Sequence, residues 1–152
     1  MRPEERLRPR GTVLRIRTQN KKELPDFPFI IVRDAITKVY ANAIVNSANP
    51  KTVIGGVDTA IYRTAGEREL LAERKIIGKI APGQVARTSV FRLNAGSVIH
   101  TVGPFWMAGN HGERETLAAC YANSFALATE FACESIAFPM PHVYLEGVST
   151  PL

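Results

Sequence analysis

Apolar positions in this chain come in short bursts separated by polar and glycine-bearing breaks, and the period of the bursts changes along the sequence. Phe29-Ile30-Ile31-Val32 is a β-branched run suited to a buried strand, and the change of character after Pro25-Asp26-Phe27-Pro28 marks a domain boundary. Ala43-Ile44-Val45 reads as a second strand, reached through the connection Arg33-Asp34-Ala35-Ile36-Thr37-Lys38 and ending in Asn46-Ser47-Ala48-Asn49. Beyond the Gly55-Gly56 turn the spacing predicts a helix over 57–64, closed by Ala65-Gly66. A second helix follows over 67–77: Leu70, Leu71, Ile76 and Ile77 recur there, acids precede bases as a helix dipole favours, and Gly78 suits the end. Pro82-Gly83 turns the chain into strands expected over 85–91 and 97–102, the latter stopped by Gly103-Pro104. Leu117, Tyr121, Phe125, Ala128 and Phe131 fall at helical spacing in a stretch free of Gly and Pro, which predicts a helix over 113–131. Ser135-Ile136-Ala137-Phe138-Pro139 reads as a short buried strand. Near-continuous apolar strands alternating with helices predict an α/β sheet with helices on both faces.

A length of 152 residues with 45% apolar content is enough for one domain with a two- or three-layer core. No apolar stretch approaches the roughly 18 residues that span a bilayer, and the charged amino terminus lacks a signal-peptide core, so a cytoplasmic protein with no membrane partner is expected. Cys120 and Cys133 fall on or at the end of one helix, about 20 Å apart at the helical rise, and read as buried reduced thiols. The net charge of +5 suggests nucleic acid until it is divided. Residues 1–26 hold eight of the 19 bases but four of the 14 acids, so +4 belongs to that segment and only +1 to the rest. Acids mixed among the bases, with no aromatic before Phe27, favour a solvated, disordered arm over a nucleic-acid-binding one.

In open α/β sheets ligands bind at the carboxyl ends of strands, where Asn46 and Asn49 fall. Each carboxamide can hold a ribose hydroxyl pair or position a water, although an asparagine after a strand can equally make a turn. Gly55-Gly56 lets a phosphate approach backbone N–H groups, and the helix from Val57 adds a favourable dipole end. Asp58 complements that dipole by default, yet in a phosphate pocket it would repel the ligand unless it oriented or deprotonated a water. Asp34 is either a turn residue or an acceptor for an exocyclic amine. His100, inside an apolar strand, reads as a core histidine rather than a catalyst. No metal motif, nucleophile elbow or complete P-loop is found.

Taken in order, Arg33 to Lys38, Ala43 to Asn49, Gly55-Gly56-Val57-Asp58-Thr59-Ala60-Ile61-Tyr62, Ile99-His100-Thr101-Val102-Gly103-Pro104 and Ser135 to Pro139 resemble the macrodomain family of ADP-ribose-binding modules. The resemblance covers residues 29–139 and implies a three-layer α/β/α mixed sheet. It implies that Asp34 accepts from the adenine amino group with Ala35 and Ile36 beside it, and that Gly55, Gly56 and Val57 offer N–H groups to the diphosphate. Asn46 and Asn49 would face the ligand, Asn49 holding the distal ribose, and Asp58 would assist water at the anomeric carbon. The partner implied is ADP-ribose or an ADP-ribosylated protein, taken up by a monomer, with neither metal nor cofactor.

Three departures qualify that picture. The glycine turn is short, and Tyr62 stands where many hydrolases of the family have His; with an ordinary pKa of about 10 it is a poor base, which weakens hydrolysis more than binding. After Pro139 the family continues with a second phosphate loop, a helix, a strand inside the sheet and usually a last helix, whereas here Met140 to Leu152 follows a different course. The expected organisation is therefore a disordered arm over 1–26, a core over 27–139 that is incomplete at its carboxyl end, and an atypical tail over 140–152. Without the final strand, the strands at 29–32 and 136–138 would lack their usual neighbour, a gap that Thr12 to Ile16 or Val143-Tyr144-Leu145 could partly fill. An ADP-ribose hydrolase, a binding-only reader and an inactive fragment are the functions left open.

Overall fold

The computed structural model describes residues 12–17, 29–48 and 56–139. Its elements run β1 (Thr12–Arg17), β2 (Phe29–Arg33), a 3-10 turn (Ile36–Lys38), β3 (Ala43–Ser47), α1 (Gly56–Ala65), α2 (Glu67–Ile77), β4 (Val85–Thr88), β5 (Ser97–Thr101), α3 (Glu113–Glu130) and β6 (Ser135–Pro139). The six strands form one mixed sheet in the order β2-β1-β6-β3-β5-β4. β3 lies between β5 and β6 and runs parallel to both, with Asn46 opposite His100 and Ala43 opposite Ile136. β1 runs antiparallel to both β2 and β6, and β4 antiparallel to β5.

Alternation along the strands divides the core in two. Ile44 and Val98 face α1 and α2, where Ile36, Ile61, Ala65 and Leu70 complete a buried cluster. Val45, Ile99, Ile136 and Phe138 face the other way, toward α3. Phe138 lies between Tyr121 and Phe125, ring centroids 4.8 and 5.1 Å away, tilted as aromatic quadrupoles prefer. The three-layer α/β/α architecture follows because β3, β5 and β6 are apolar on both faces and need cover on each. Gly96, before β5, has no room for a side chain: a Cβ there would lie 2.4 Å from the Asn42 carbonyl oxygen, and its N–H donates to Ala41 instead.

α3 opens on a carboxylate that organises the preceding loop. Glu113 Oε1 accepts from the N–H groups of Met107 (2.8 Å) and Gly109 (3.1 Å), and Oε2 from that of His111 (2.6 Å). Burial alone would raise this carboxyl, but its own N–H and those of Met107, His111 and Gly109 hold it down at about 2. α2 ends at Gly78, whose φ of 77° and N–H bond to Arg74 make it the terminator expected.

Two expectations need correction. β4 stops at Thr88 rather than 91, because the Ser89 N–H turns to the Glu73 carboxylate and Phe91 adopts a left-handed φ of 49°. Residues 12–17, expected within a disordered arm although Thr12 to Ile16 is one of two segments offered for the gap between the strands at 29–32 and 136–138, are strand β1, inserted between β2 and β6. The physical reason is that β2 and β6 would each carry a row of open ladder groups, and a strand antiparallel to both satisfies them together. The remainder of the 1–26 arm and the 140–152 tail lie outside the described residues. Among those described, no helix is long and apolar enough to cross a membrane, and Cys120, buried, and Cys133, half-buried, form no disulfide.

Candidate functional site

β3 carries its apolar residues as far as Val45 and then places Asn46 on the α1-facing side, two residues beyond Ile44. The Asn46 side chain is fully buried, and its Nδ2 donates to Asp58 Oδ1 at 2.6 Å. The same nitrogen lies 3.0 Å from His100 Nδ1, across the ladder on β5. His100 Nε2 in turn lies 2.8 Å from Thr88 Oγ1 on β4. Four buried polar side chains thus form a continuous chain from the far strand of the sheet to the first turn of α1. Each bond limits the cost of burial, which for an unsatisfied polar group is about 1–3 kcal/mol.

The charges around this chain fix what its members can do. Burial, and then the Arg74 guanidinium, lower the His100 imidazole to about 3, so it is neutral at ordinary pH. Tyr62 stands one helical turn after Asp58, its ring centroid 6.5 Å from that of His100. Burial first, and the Asp58 charge second, raise its hydroxyl above the usual tyrosine range, against an opposing effect of Arg74. Tyr62 is therefore a hydrogen-bond donor and not a base. Asn46 Oδ1 is buried and finds no donor among the described residues.

Gly56 opens α1 with a φ of 59°, which L side chains rarely adopt, and the space a Cβ would take is open. The first N–H groups of a helix have no acceptor within it, so the start of α1, at the exposed Gly56 and half-buried Val57, suits an anion. Val57 is half-buried against the α1-side cluster. Asp34 follows β2, whose carboxyl end lies at the same edge of the sheet as that of β3, and its Oδ1 accepts the Ala35 N–H at 2.8 Å. Ala35 precedes the 3-10 turn, while the Ile36 side chain is committed to the core with Ile44 and Ile61. Asn46, Asp58 and Tyr62 are thus brought together; Asp34 and Ala35 line the same edge two strands beyond β6. Asn49 and Gly55 lie outside the described residues.

Sequence reasoning passed over Thr88 and Arg74. A usable signal existed for the strand pair: Asn46 and His100 each interrupt an apolar strand, and they are direct partners in the β3–β5 ladder. Across the sheet, an apolar cleft beneath α3 is lined by Ser47, Thr101, Leu117, Cys120, Tyr121 and Phe138. No Asp or Glu lines it, whereas Asp58 lies on the α1 face. Among the described residues no three His, Cys, Asp or Glu side chains gather as a metal site.

Known proteins resemble this chain in sequence and in fold. The family described as "Macro domain" matches residues 45–143. A Macro domain-containing protein of Chlorobaculum tepidum is 48% identical over 118 residues, covering 76% of this chain and 68% of the relative. An O-acetyl-ADP-ribose deacetylase of Citrobacter rodentium is 44% identical over 113 residues, covering 72% of this chain and 64% of the relative. Among solved structures, an Oceanobacillus iheyensis macrodomain with ADP superposes with a TM-score of 0.59 at 36% identity, covering 68% of this chain and 58% of that one.

Proposed function

Since this chain belongs to the macrodomain family, we propose that it binds ADP-ribose at the β3–α1 edge and hydrolyses acyl-linked ADP-ribose, as O-acetyl-ADP-ribose or on a modified protein. The observation that carries the reading is the buried Asn46–Asp58 hydrogen bond of 2.6 Å at the start of α1, two residues from the open space at Gly56. A carboxylate set under an anion-binding helix start needs a task, and activating water is one that a neighbouring diphosphate does not defeat.

In this mechanism the N–H groups at Gly56 and Val57, with Gly55, hold the diphosphate. Asp34 accepts from the adenine amine, with Ala35 and Ile36 at that end, and Asn49 and Asn46 face the distal ribose. Asn46 Oδ1, buried without a donor among the described residues, suits a ribose hydroxyl or the attacking water. Water oxygen bonds to the anomeric carbon, the bond from that carbon to the acyl oxygen breaks, the acyl group departs as carboxylate, and the proton passes to Asp58. Because a carboxylate is a good leaving group, no second acid is required, and Tyr62 serves as a donor to the sugar.

A binding-only reader is the second interpretation, favoured by the raised Tyr62 hydroxyl, which removes one candidate base. Asp58→Asn separates the two. In the hydrolase it slows O-acetyl-ADP-ribose turnover about 100-fold or more, the usual worth of a positioned base, while calorimetry still detects ADP-ribose binding. Binding without turnover in the unaltered chain would leave the reader.

A further inference from the structure

The Asn46 amide presents its nitrogen, not its oxygen, to Asp58, and something must enforce that choice because the two ends of an amide have nearly the same shape. The Asn46 nitrogen has two hydrogens and two acceptors in reach: Asp58 Oδ1 at 2.6 Å and His100 Nδ1 at 3.0 Å. His100 Nδ1 can accept only if the ring proton sits on Nε2, and Nε2 lies 2.8 Å from Thr88 Oγ1, which can receive it. Asn46, His100 and Thr88 are each 2% exposed or less, so water does not compete for the bonds His100 makes.

We infer that His100 is a positioning residue for hydrolysis: with its Nε2–H held by Thr88, its bare Nδ1 fixes the Asn46 amide so that its N–H orients the Asp58 carboxylate. The inference rests on Asp58 acting on water as proposed above. With the other tautomer, Nδ1–H would face the Asn46 N–H, and relief by an amide flip would set a carbonyl oxygen against the Asp58 carboxylate. A protonated ring would do the same, and the low basicity of the buried imidazole prevents that. Thr88 thus acts on Asp58 through three successive hydrogen bonds, none of them to substrate.

Two substitutions divide the ring's roles. His100→Asn places an amide oxygen near Nδ1, and so still accepts from Asn46; His100→Gln reaches toward Thr88 and leaves the Nδ1 position without an acceptor. The expected result with O-acetyl-ADP-ribose is a kcat about 10- to 100-fold lower in His100→Gln, the scale of a misplaced catalytic group, with KM and ADP-ribose affinity little changed. His100→Asn recovers most of that loss even if both variants melt at similar temperatures. Should His100→Gln fail to fold, Thr88→Val against Thr88→Ser reads the chain from its far end: valine lowers kcat, serine restores it, and the imidazole ¹⁵N shifts report the tautomer. Equal kcat in His100→Gln and His100→Asn, or in Thr88→Val and Thr88→Ser, overturns the inference. Asp58→Asn, run alongside, keeps the failures apart. If it turns over normally, the role of Asp58 falls and the positioning role with it; if it is slow while the paired variants agree, only the positioning role falls.

Discussion

The two faces of the central sheet are built from the same strands, yet they solve different problems. On the α3 face, Val45, Ile99, Ile136 and Phe138 alternate into an apolar layer locked by Tyr121 and Phe125. On the α1 face the alternate residues are Ile44 and Val98, followed one step further by Asn46 and His100, and there the apolar layer gives way to hydrogen-bonded polar groups. Burying Asn46, His100 and Thr88 costs stability that apolar side chains would not, and the return is a carboxylate held in place at the sheet's edge. One face stabilises the domain; the other spends part of that stability on preorganisation.

The largest expected effect breaks the comparison at its apolar side. Phe138→Ala removes the ring between Tyr121 and Phe125 and should cost about 3–5 kcal/mol in urea denaturation, while whatever folded protein remains binds ADP-ribose as before. A selective loss of turnover instead would show that the faces are not separate.

A smaller effect marks the polar side. His100 has a folded value of about 3, below its ordinary 6.5, so the unfolded chain takes up the proton first as pH falls. Its contribution is complete above about pH 6.5 and is lost progressively down to about pH 3, amounting to about 2 kcal/mol by pH 5. His100→Asn should flatten this slope between pH 7 and 5; an unchanged slope would mean that the ring is not buried neutral.

The smallest effect lies outside both faces. Glu113, held at about 2, stabilises the chain fully above its ordinary 4.5 and loses that contribution as pH falls through about 2. Glu113→Gln should lower the melting temperature at pH 7 and remove this part of the acid dependence, without altering turnover.

The apolar face was the more legible in the sequence, and the reason is physical. Helix α3 was readable from Tyr121, Phe125 and Ala128 because local periodicity is itself the signal of a buried face. Strand β1 was legible only in part: the gap between the strands at 29–32 and 136–138 pointed to Thr12 to Ile16 as one filler, but Thr12-Val13-Leu14-Arg15-Ile16-Arg17 is short and charged, and its partners β2 and β6 make it a strand only through pairing, with Pro139 lying opposite Val13. The polar chain fell between these cases. Asp58 and Asn46 were identifiable from the residues around them, but Thr88 became part of the site only through a diagonal contact with His100 that no local pattern announces.

The most direct test of the central claim pairs binding and turnover on one preparation: calorimetry with ADP-ribose, and single-turnover hydrolysis of O-acetyl-ADP-ribose, for the unaltered chain and Asp58→Asn. Both proteins are expected to bind, with Asp58→Asn slower by about 100-fold or more. Equal rates in the two proteins, or no ADP-ribose binding by the unaltered chain, would contradict it.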